Sequence, residues 1–536
     1  MQTPGASAYF CLQMKRRRKI RRVVWLLVCL LGAWNVSGQD FVPKREFRAA
    51  WIATLSGIDW PSRAGLSVEQ QQREYVRILD TLVACGMNAV IVQVRPKADA
   101  FYASKTEPWS QFLTGTRDGD PGYDPLAFML EEAHRRGLEL HVWLNPFRVT
   151  TGEDLSVLSP RSVGRRHPEW LVRYVGRWYL DPGRYEVRSY LLSVVAEIVR
   201  GYDVDAIHMD DYFYPYPQGG QPFPDGKTYQ RYGASLFDDV SQWRRDNVNR
   251  LIKGISDTIR ALRPGVKFGI SPFGIYRNAS DDPSGSATRG LSNYDDLYAD
   301  VALWVREGWI DYVLPQLYWE NGHSAADFGE LLRWWGLHHG RSQLYIGHGA
   351  FNISPKGKNT VWRTAEEICR QVRMQRENPS SAGSAFYSAR YLVGNAGGLT
   401  DSLKTRYYRH PALVPAMPWL DPRAPLPPER VQVEKTPQGR RVSWQAGRRE
   451  SLGEADPPAQ VRYYMVYRFS ADQMVNINDA SHIVARVWGD ASGEYTDTSA
   501  PPGQVVYVVT AVSAAGVENE DFSVAAPAGD VRGRKE

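Results

Sequence analysis

The sequence predicts a (β/α)8 barrel followed by a small β-sandwich. Between Phe47 and about Tyr408, eight strand-like apolar runs are separated by segments with helical apolar spacing. Beyond Pro415, prolines cluster and short β runs follow. At 536 residues the chain exceeds one ordinary core, so one large and one small domain are expected.

The first strand is read at Arg48–Thr54, followed by a helix through Val76, Leu79, Leu82 and Val83 that stops at Gly86. The second is Ala89–Val94, running into Arg95-Pro96. Asp124-Pro125 reads as an N-cap with a first-turn proline, opening a helix that Gly137 ends. Leu138–Leu144 is the third strand, closed by Asn145-Pro146, and Val204–Asp210 is the fourth. A long amphipathic helix spans about Val240 to Leu262. The fifth to eighth strands are Val266–Ile270, Asp311–Leu317, Gln343–Gly347 and Ser384–Ser388. Tyr179–Gly183 is assigned to an elaborated loop. The barrel thus occupies 45–415, a proline-rich linker 416–428 and the sandwich 429–525.

Seven Lys and Arg residues between Lys15 and Arg22 precede an apolar run from Val23 to Trp34 and small residues near Gly38. This is the order of a secretory signal peptide over 1–38, with export to the periplasm or cell envelope expected and no stable membrane span after cleavage. Removing those seven cations takes the formal charge from +6 to −1, which leaves no basic signature for nucleic acid. Cys85 and Cys369 lie in helical patterns and read as buried thiols, with a disulfide as the alternative. No metal or other cofactor is called for.

The chemistry concentrates at strand carboxyl ends, where such barrels place their active sites. Those positions hold Asp59, Trp60, Arg95, Asp99, Asn145, Arg148, Asp210, Asp211, Tyr212, Gln316, Tyr318, Trp319, Glu320 and His348, with His141 and His208 deeper. In the fourth strand, alternation turns His208 and Asp210 to one face. Paired carboxylates among aromatics suit glycoside hydrolysis, in which one acid protonates the leaving oxygen and a second carboxylate attacks or activates water. Asp210 is the choice for nucleophile or charge-stabilising carboxylate, and Asp211 or Glu320 for its acid partner. Asp59, Trp60, Arg95, Asp99, His141, Asn145, His208, Tyr212, Gln316, Tyr318, Trp319 and His348 are the expected sugar contacts. Two alternatives stand beside this reading. One is a non-catalytic glycan-binding protein; the other is a metal-dependent hydrolase using His141, His208, His348 and Asp210.

Several ordered motifs resemble the glycosyl-hydrolase-like family 10 barrel. They are Phe47–Ala53 with Ile58-Asp59-Trp60-Pro61, Val92–Pro96 with Asp99–Tyr102, and His141–Pro146. Tyr179–Gly183, Asp210–Pro215, Ser271–Gly274 and Pro315–Trp319 continue the series. The resemblance implies an exported bacterial glycosidase acting on polysaccharide, with peptidoglycan strands lacking stem peptides as the leading substrate. Asp205–Asp210 also resembles the α-amylase-type strand that ends in a nucleophilic Asp, although Ser271, Pro272 and Phe273 stand where that family's acid Glu follows strand five. Tyr507–Val512 with Ala515-Gly516 is similar to the penultimate strand and turn of a fibronectin type III domain.

Overall fold

Phe47–Ile52 (β1), Ala89–Arg95 (β2), Glu139–Leu144 (β3) and Ala206–Met209 (β4) make the first half of a closed parallel barrel in the computed structural model. Lys267–Ile270 (β5), Tyr312–Val313 (β6), Gln343–His348 (β7) and Ser381–Phe386 (β8) complete it, and β8 pairs with β1. Residues 42–448 and 457–527 are described; the expected signal peptide lies outside them.

Period-2 alternation sorts the strand residues. Ile52, Val90, Val92, Leu140, Val142, Ile207, Phe268 and Ile346 face outward into the core shared with the surrounding helices. These include Val68–Ala84 (α1), Pro125–Arg135 (α2), Tyr185–Gly201 (α3) and Val240–Leu262 (α4). Val301–Arg306 (α5), Phe328–His338 (α6) and Glu366–Glu377 (α7) follow. Helix starts are fixed by side-chain caps: Ser67 and Gln70 form a capping box on α1, and Asp124 caps α2 ahead of Pro125.

β6 is shorter than its expected span to Leu317 because Pro315 has no N–H to give the ladder. Gln316 still bridges to Phe273 and Gly347, so its place in the barrel mouth survives. Tyr179 lies in a hairpin, Leu171–Tyr174 with Arg177–Leu180, that projects from the third loop and takes no part in the barrel.

The barrel interior is filled by a polar column as well as by rings. An indole N–H only donates, so Trp51 Nε1 gives its proton to His208 Nε2 at 3.4 Å. Burial holds the His208 pKa well below its ordinary value, so the neutral ring carries its proton on Nδ1 and donates to the Tyr312 hydroxyl at 2.9 Å. That leaves the hydroxyl proton for His141 Nδ1 at 2.8 Å, and His141 Nε2 faces Glu139 at 3.1 Å. Lys267 Nζ closes the column on Glu139 at 2.6 and 2.7 Å. The column needs a glycine on β5: a Cβ at Gly269 would sit 2.0 Å from the Tyr312 ring.

Glu429–Thr436 (β9), Gly439–Gln445 (β10), Val461–Ser470 (β11), Ile483–Trp488 (β12), Gly493–Asp497 (β13), Val505–Ser513 (β14) and Val524–Ala525 (β15) form the sandwich. Its antiparallel sheets run β9-β10-β13 and β12-β11-β14-β15, around Val442, Trp444, Tyr464, Val466, Tyr507 and Val509.

The sandwich sits against the amino-terminal floor of the barrel. Arg462 pairs with Asp203 and Asp205, while Arg486 donates to the carbonyls of Gly137 and Ala412 at 2.8 Å each. The segment expected as a linker is part of that floor. Met417 is buried and its amide donates to Ala515, and the Trp419 indole donates to Asp311 at 3.0 Å. Proline blocks regular structure here without keeping the neighbouring apolar side chains from packing. Cys85 and Cys369 are buried free thiols. Among the described residues no helix is long and apolar enough to cross a membrane.

Candidate active site

A cavity of about 360 Å³ opens at the carboxyl end of the barrel. Ala53, Gln93, Trp143, Asn145, Asp210 and Tyr387 come from strand ends, and Arg148, Thr151, Arg177 and Tyr212 from the loops beyond. Asp210 therefore faces the mouth, as the parity of its strand requires. Its Oδ2 accepts from the Trp143 indole at 3.1 Å, and its Oδ1 from the Tyr212 amide at 3.2 Å. The same indole also donates to Asn145 Oδ1 at 3.1 Å, and its bond to Asp210 ties β3 to the end of β4 under the cavity.

Asp211 follows after the strand has ended and is equally buried. It accepts from the Tyr216 hydroxyl and is held by Gln316, whose amide also donates to the Ser271 carbonyl at 3.0 Å. Burial raises the pKa of both carboxyls, and for Asp210 the Asp211 charge adds to it. Arg148 opposes the rise at both, with Tyr212 and Trp143 helping at Asp210 and Tyr216 and Gln316 at Asp211. The two titrate as a unit that keeps a proton into the neutral range, with Asp210 its stronger holder. Acids whose surroundings push their pKa values apart are what acid–base chemistry at neutral pH requires.

Aromatic faces border the pair. Tyr212 is 37% exposed and lies against the Arg148 guanidinium, 4.7 Å from carbon to ring centre. Tyr387 and Tyr318 stand 6.2 Å apart by ring centroids, both close enough to feel the charges of the acids.

Other expected contacts lie elsewhere. Trp60 is fully buried and donates to the Gln71 carbonyl. Arg95 is turned outward past an irregularity in β2 and is locked on buried Glu107. Asp99 is paired with Lys97 at 2.9 Å. Asp59 accepts from Ala53, Ser388 and Arg390, so it ties the β1 loop to the end of β8 and shapes the wall from behind. His141 and His208 belong to the polar column. His348 points out of the barrel, between Gln371 at 3.0 Å and Ser384 at 2.9 Å, because Gln343, Tyr345 and Gly347 take the inward positions of β7. The histidines of the metal reading therefore do not meet.

Trp319 packs edge-on against Phe273 at 5.5 Å. Glu320 accepts from the Trp362 indole at 3.0 Å and from Asn359; burial opposes ionisation, but these bonds hold its pKa below the ordinary value. It does not line the cavity. Tyr216, Tyr387 and Arg177 were missed in the sequence because they lie on a turn, beyond a strand end and on a projecting hairpin, whose paths across the mouth no barrel-strand pattern fixes. Tyr387, one residue beyond β8, was the most accessible of the three to a parity argument.

The sequence profile of the family described as glycosyl hydrolase-like 10 matches residues 46–364. This chain belongs to that family. It is 47% identical over 461 residues to glycosyl hydrolase YngK of Bacillus subtilis (strain 168), covering 84% of this chain and 88% of that protein. It is 39% identical over 371 residues to glycosyl hydrolase DigH of Escherichia coli (strain K12), covering 65% of this chain and 84% of that protein. Among solved structures, the glycoside hydrolase domain of PgaB (BpsB) from Bordetella bronchiseptica aligns with 67% of this chain and 98% of its own at 14% identity and a TM-score of 0.42. The family match spans β1 to β7 and the cavity acids, and ends before α7 and the sandwich.

Proposed function

We propose that this protein is an exported glycoside hydrolase that cuts polysaccharide, with peptidoglycan strands lacking stem peptides as its substrate. The observation that carries the chemistry is the buried Asp210–Asp211 pair at the barrel mouth, holding a proton beside exposed aromatic faces. The electrostatics favour Asp210 over Asp211 and Glu320 for the acid role. Asp210, the more strongly protonated and the one lining the cavity, gives its proton to the leaving glycosidic oxygen as the C–O bond breaks. Ionised Asp211 stabilises the positive charge that develops on the sugar. Water then adds to the anomeric carbon, and its proton returns to Asp210. Tyr212 and Tyr387 offer flat surfaces to the sugar rings, and Asn145 and Gln93 offer hydrogen-bonding amides.

The test is to incubate the mature protein with peptide-free and peptide-bearing peptidoglycan and identify products by mass spectrometry. Cleavage confined to peptide-free strands is expected; release from neither would overturn the enzymatic reading. Export rests on the leader alone and predicts a mature protein beginning at Gln39. An intact mass that retains residues 14–38 would mean an anchor instead. The C-terminal module is read as fibronectin type III-like, and none of its described residues lines the cavity.

A further inference from the structure

The cavity beside Asp210 carries two guanidiniums, Arg148 and Arg177. Three other buried or partly buried arginines of the barrel meet carboxylates. Arg95 pairs with Glu107 at 2.6 Å, Arg244 with Asp225 at 2.5 Å, and Arg277 reaches both Asp282 and Asp295. Among the described residues neither Arg148 nor Arg177 makes an ion-pair contact with a carboxylate, although the Arg148 charge acts on Asp210 and Asp211 from nearby. The Arg148 guanidinium rests over Tyr212, and its Nε is buried with no hydrogen-bond partner. Arg177 reaches the cavity from the exposed hairpin.

The charge balance is uneven. Asp210 is the one carboxyl among the lining residues, and Asp211 stands behind the wall, occupied by Tyr216 and Gln316. Two arginines thus line a substrate space whose nearest ionised carboxylate is Asp211, behind the wall, while Asp210 holds its proton. An unpartnered buried guanidinium N–H is costly in the empty site and is relieved by an anion. Arginine forks match carboxylates with two parallel hydrogen bonds.

We infer that the sugar bound beside Asp210 carries a carboxylate that Arg148 and Arg177 hold, so the site selects an acidic glycan over the same glycan with that carboxyl neutralised. The inference rests on the glycosidase reading for its setting. Two glycans supply this chemistry: one built from hexuronates, and one with muramyl residues whose lactyl carboxyl is free. In the second, stem-peptide removal itself exposes the charge, because the peptide is joined through that carboxyl.

The experiment uses the mature full-length chain on four substrates. These are peptide-free strands, the same strands with carboxyls converted to primary amides by carbodiimide and ammonia, an oligohexuronate, and a chitin oligosaccharide. Reducing ends give kcat/KM. Amidation is expected to lower it about tenfold or more, the worth of one charge-assisted contact. Arg177→Gln, on an exposed position, should collapse the ratio between native and amidated strands toward one, and Arg148→Lys should shrink it partially. Equal rates on native and amidated strands by the unaltered protein overturn the inference and leave the glycosidase reading standing. Preferential cutting of the oligohexuronate supports it and names that source. If no glycan is cut, the enzymatic reading fails, and calorimetric affinity for native against amidated strands decides the inference, equal affinities overturning it.

Discussion

Asp205 and Asp210 stand at opposite ends of β4, and their surroundings drive them in opposite directions. Asp205, at the floor, accepts from the Leu140 amide at 2.8 Å and faces His134 at 2.9 Å and Arg462 at 2.8 Å. Burial opposes its ionisation, but Arg462 and His134 outweigh that and hold the carboxyl well below the usual range. Asp210, at the mouth, is buried as deeply, but there burial and the Asp211 charge outweigh Arg148 and two neutral donors, so its pKa climbs. Burial alone therefore does not decide what a carboxylate does. The number and charge of its donors do, and the barrel spends them at the floor for cohesion and withholds them at the mouth for chemistry.

The largest expected effect is on turnover. Asp210→Asn keeps the shape and removes the proton donor, so kcat on peptide-free strands should fall by about a hundredfold to ten-thousandfold while circular dichroism stays native. A folded variant with near-normal turnover would remove Asp210 from the mechanism. The same variant carries a stability signature. Because the folded-state pKa is raised, the native protein loses stability as pH climbs from about 4, the unfolded value, to about 8, where Asp210 gives up its proton. The Tm of Asp210→Asn relative to the native chain should therefore rise across that window and level off above it. A Tm difference that does not change with pH would mean Asp210 is ionised in the resting site.

Asp205→Asn should act at the other end and in the other sense. The change leaves Arg462 with Asp203 as its remaining carboxylate and removes the charge that faces His134, at a cost of about 1–3 kcal/mol in denaturant unfolding. Its folded pKa is depressed, so this contribution is present above the unfolded value of about 4 and fades as pH falls below it. Specific activity per folded molecule should be retained. Loss of turnover at full stability would show that floor and mouth are not separable.

The pH–rate profile comes next. Asp210 must hold its proton and Asp211 must lose its own, so kcat/KM should describe a bell with limbs near 6 and 8 that belong to the pair in the free enzyme. Asp211→Asn should flatten the acidic limb. Gly269→Ala would push a methyl into the Tyr312 ring and cost about 1–3 kcal/mol in thermal unfolding, without moving the bell. The smallest effect is reserved for Glu320→Gln, expected to change turnover by less than about twofold. A hundredfold loss there would return Glu320 to the acid role.

Much of this was legible in the residues. Period-2 runs located all eight barrel strands, and parity in Val204–Asp210 turned Asp210 to the mouth. The same parity applied to Gln343–His348 would have sent His348 outward, and the irregularity between Gln93 and Arg95 is what turned Arg95 away. The unforeseen residues of the cavity and of the Asp211 surroundings came from connecting segments. Arg177 arrives from a hairpin, Tyr216 from a turn and Tyr387 from beyond a strand end, and no repeat in the sequence fixes where such segments cross the mouth. Nor could the order of residues 416–428 reveal that Met417 and Trp419 pack beneath the barrel, since proline spacing reports backbone restriction and not what lies alongside.

Barrel closure has a consequence for the order of events during synthesis. Phe47 pairs with Gly383 and Arg48 with Ser384, so β1 waits for more than half the chain before its second edge is covered. Until β8 emerges from the ribosome, that edge presents unpaired N–H and C=O groups, and the underside stays uncovered until Met417 and Ala515 have followed. A nascent chain of this protein therefore carries an open sheet edge for most of its length, the feature that makes unfinished sheets prone to pair with other chains.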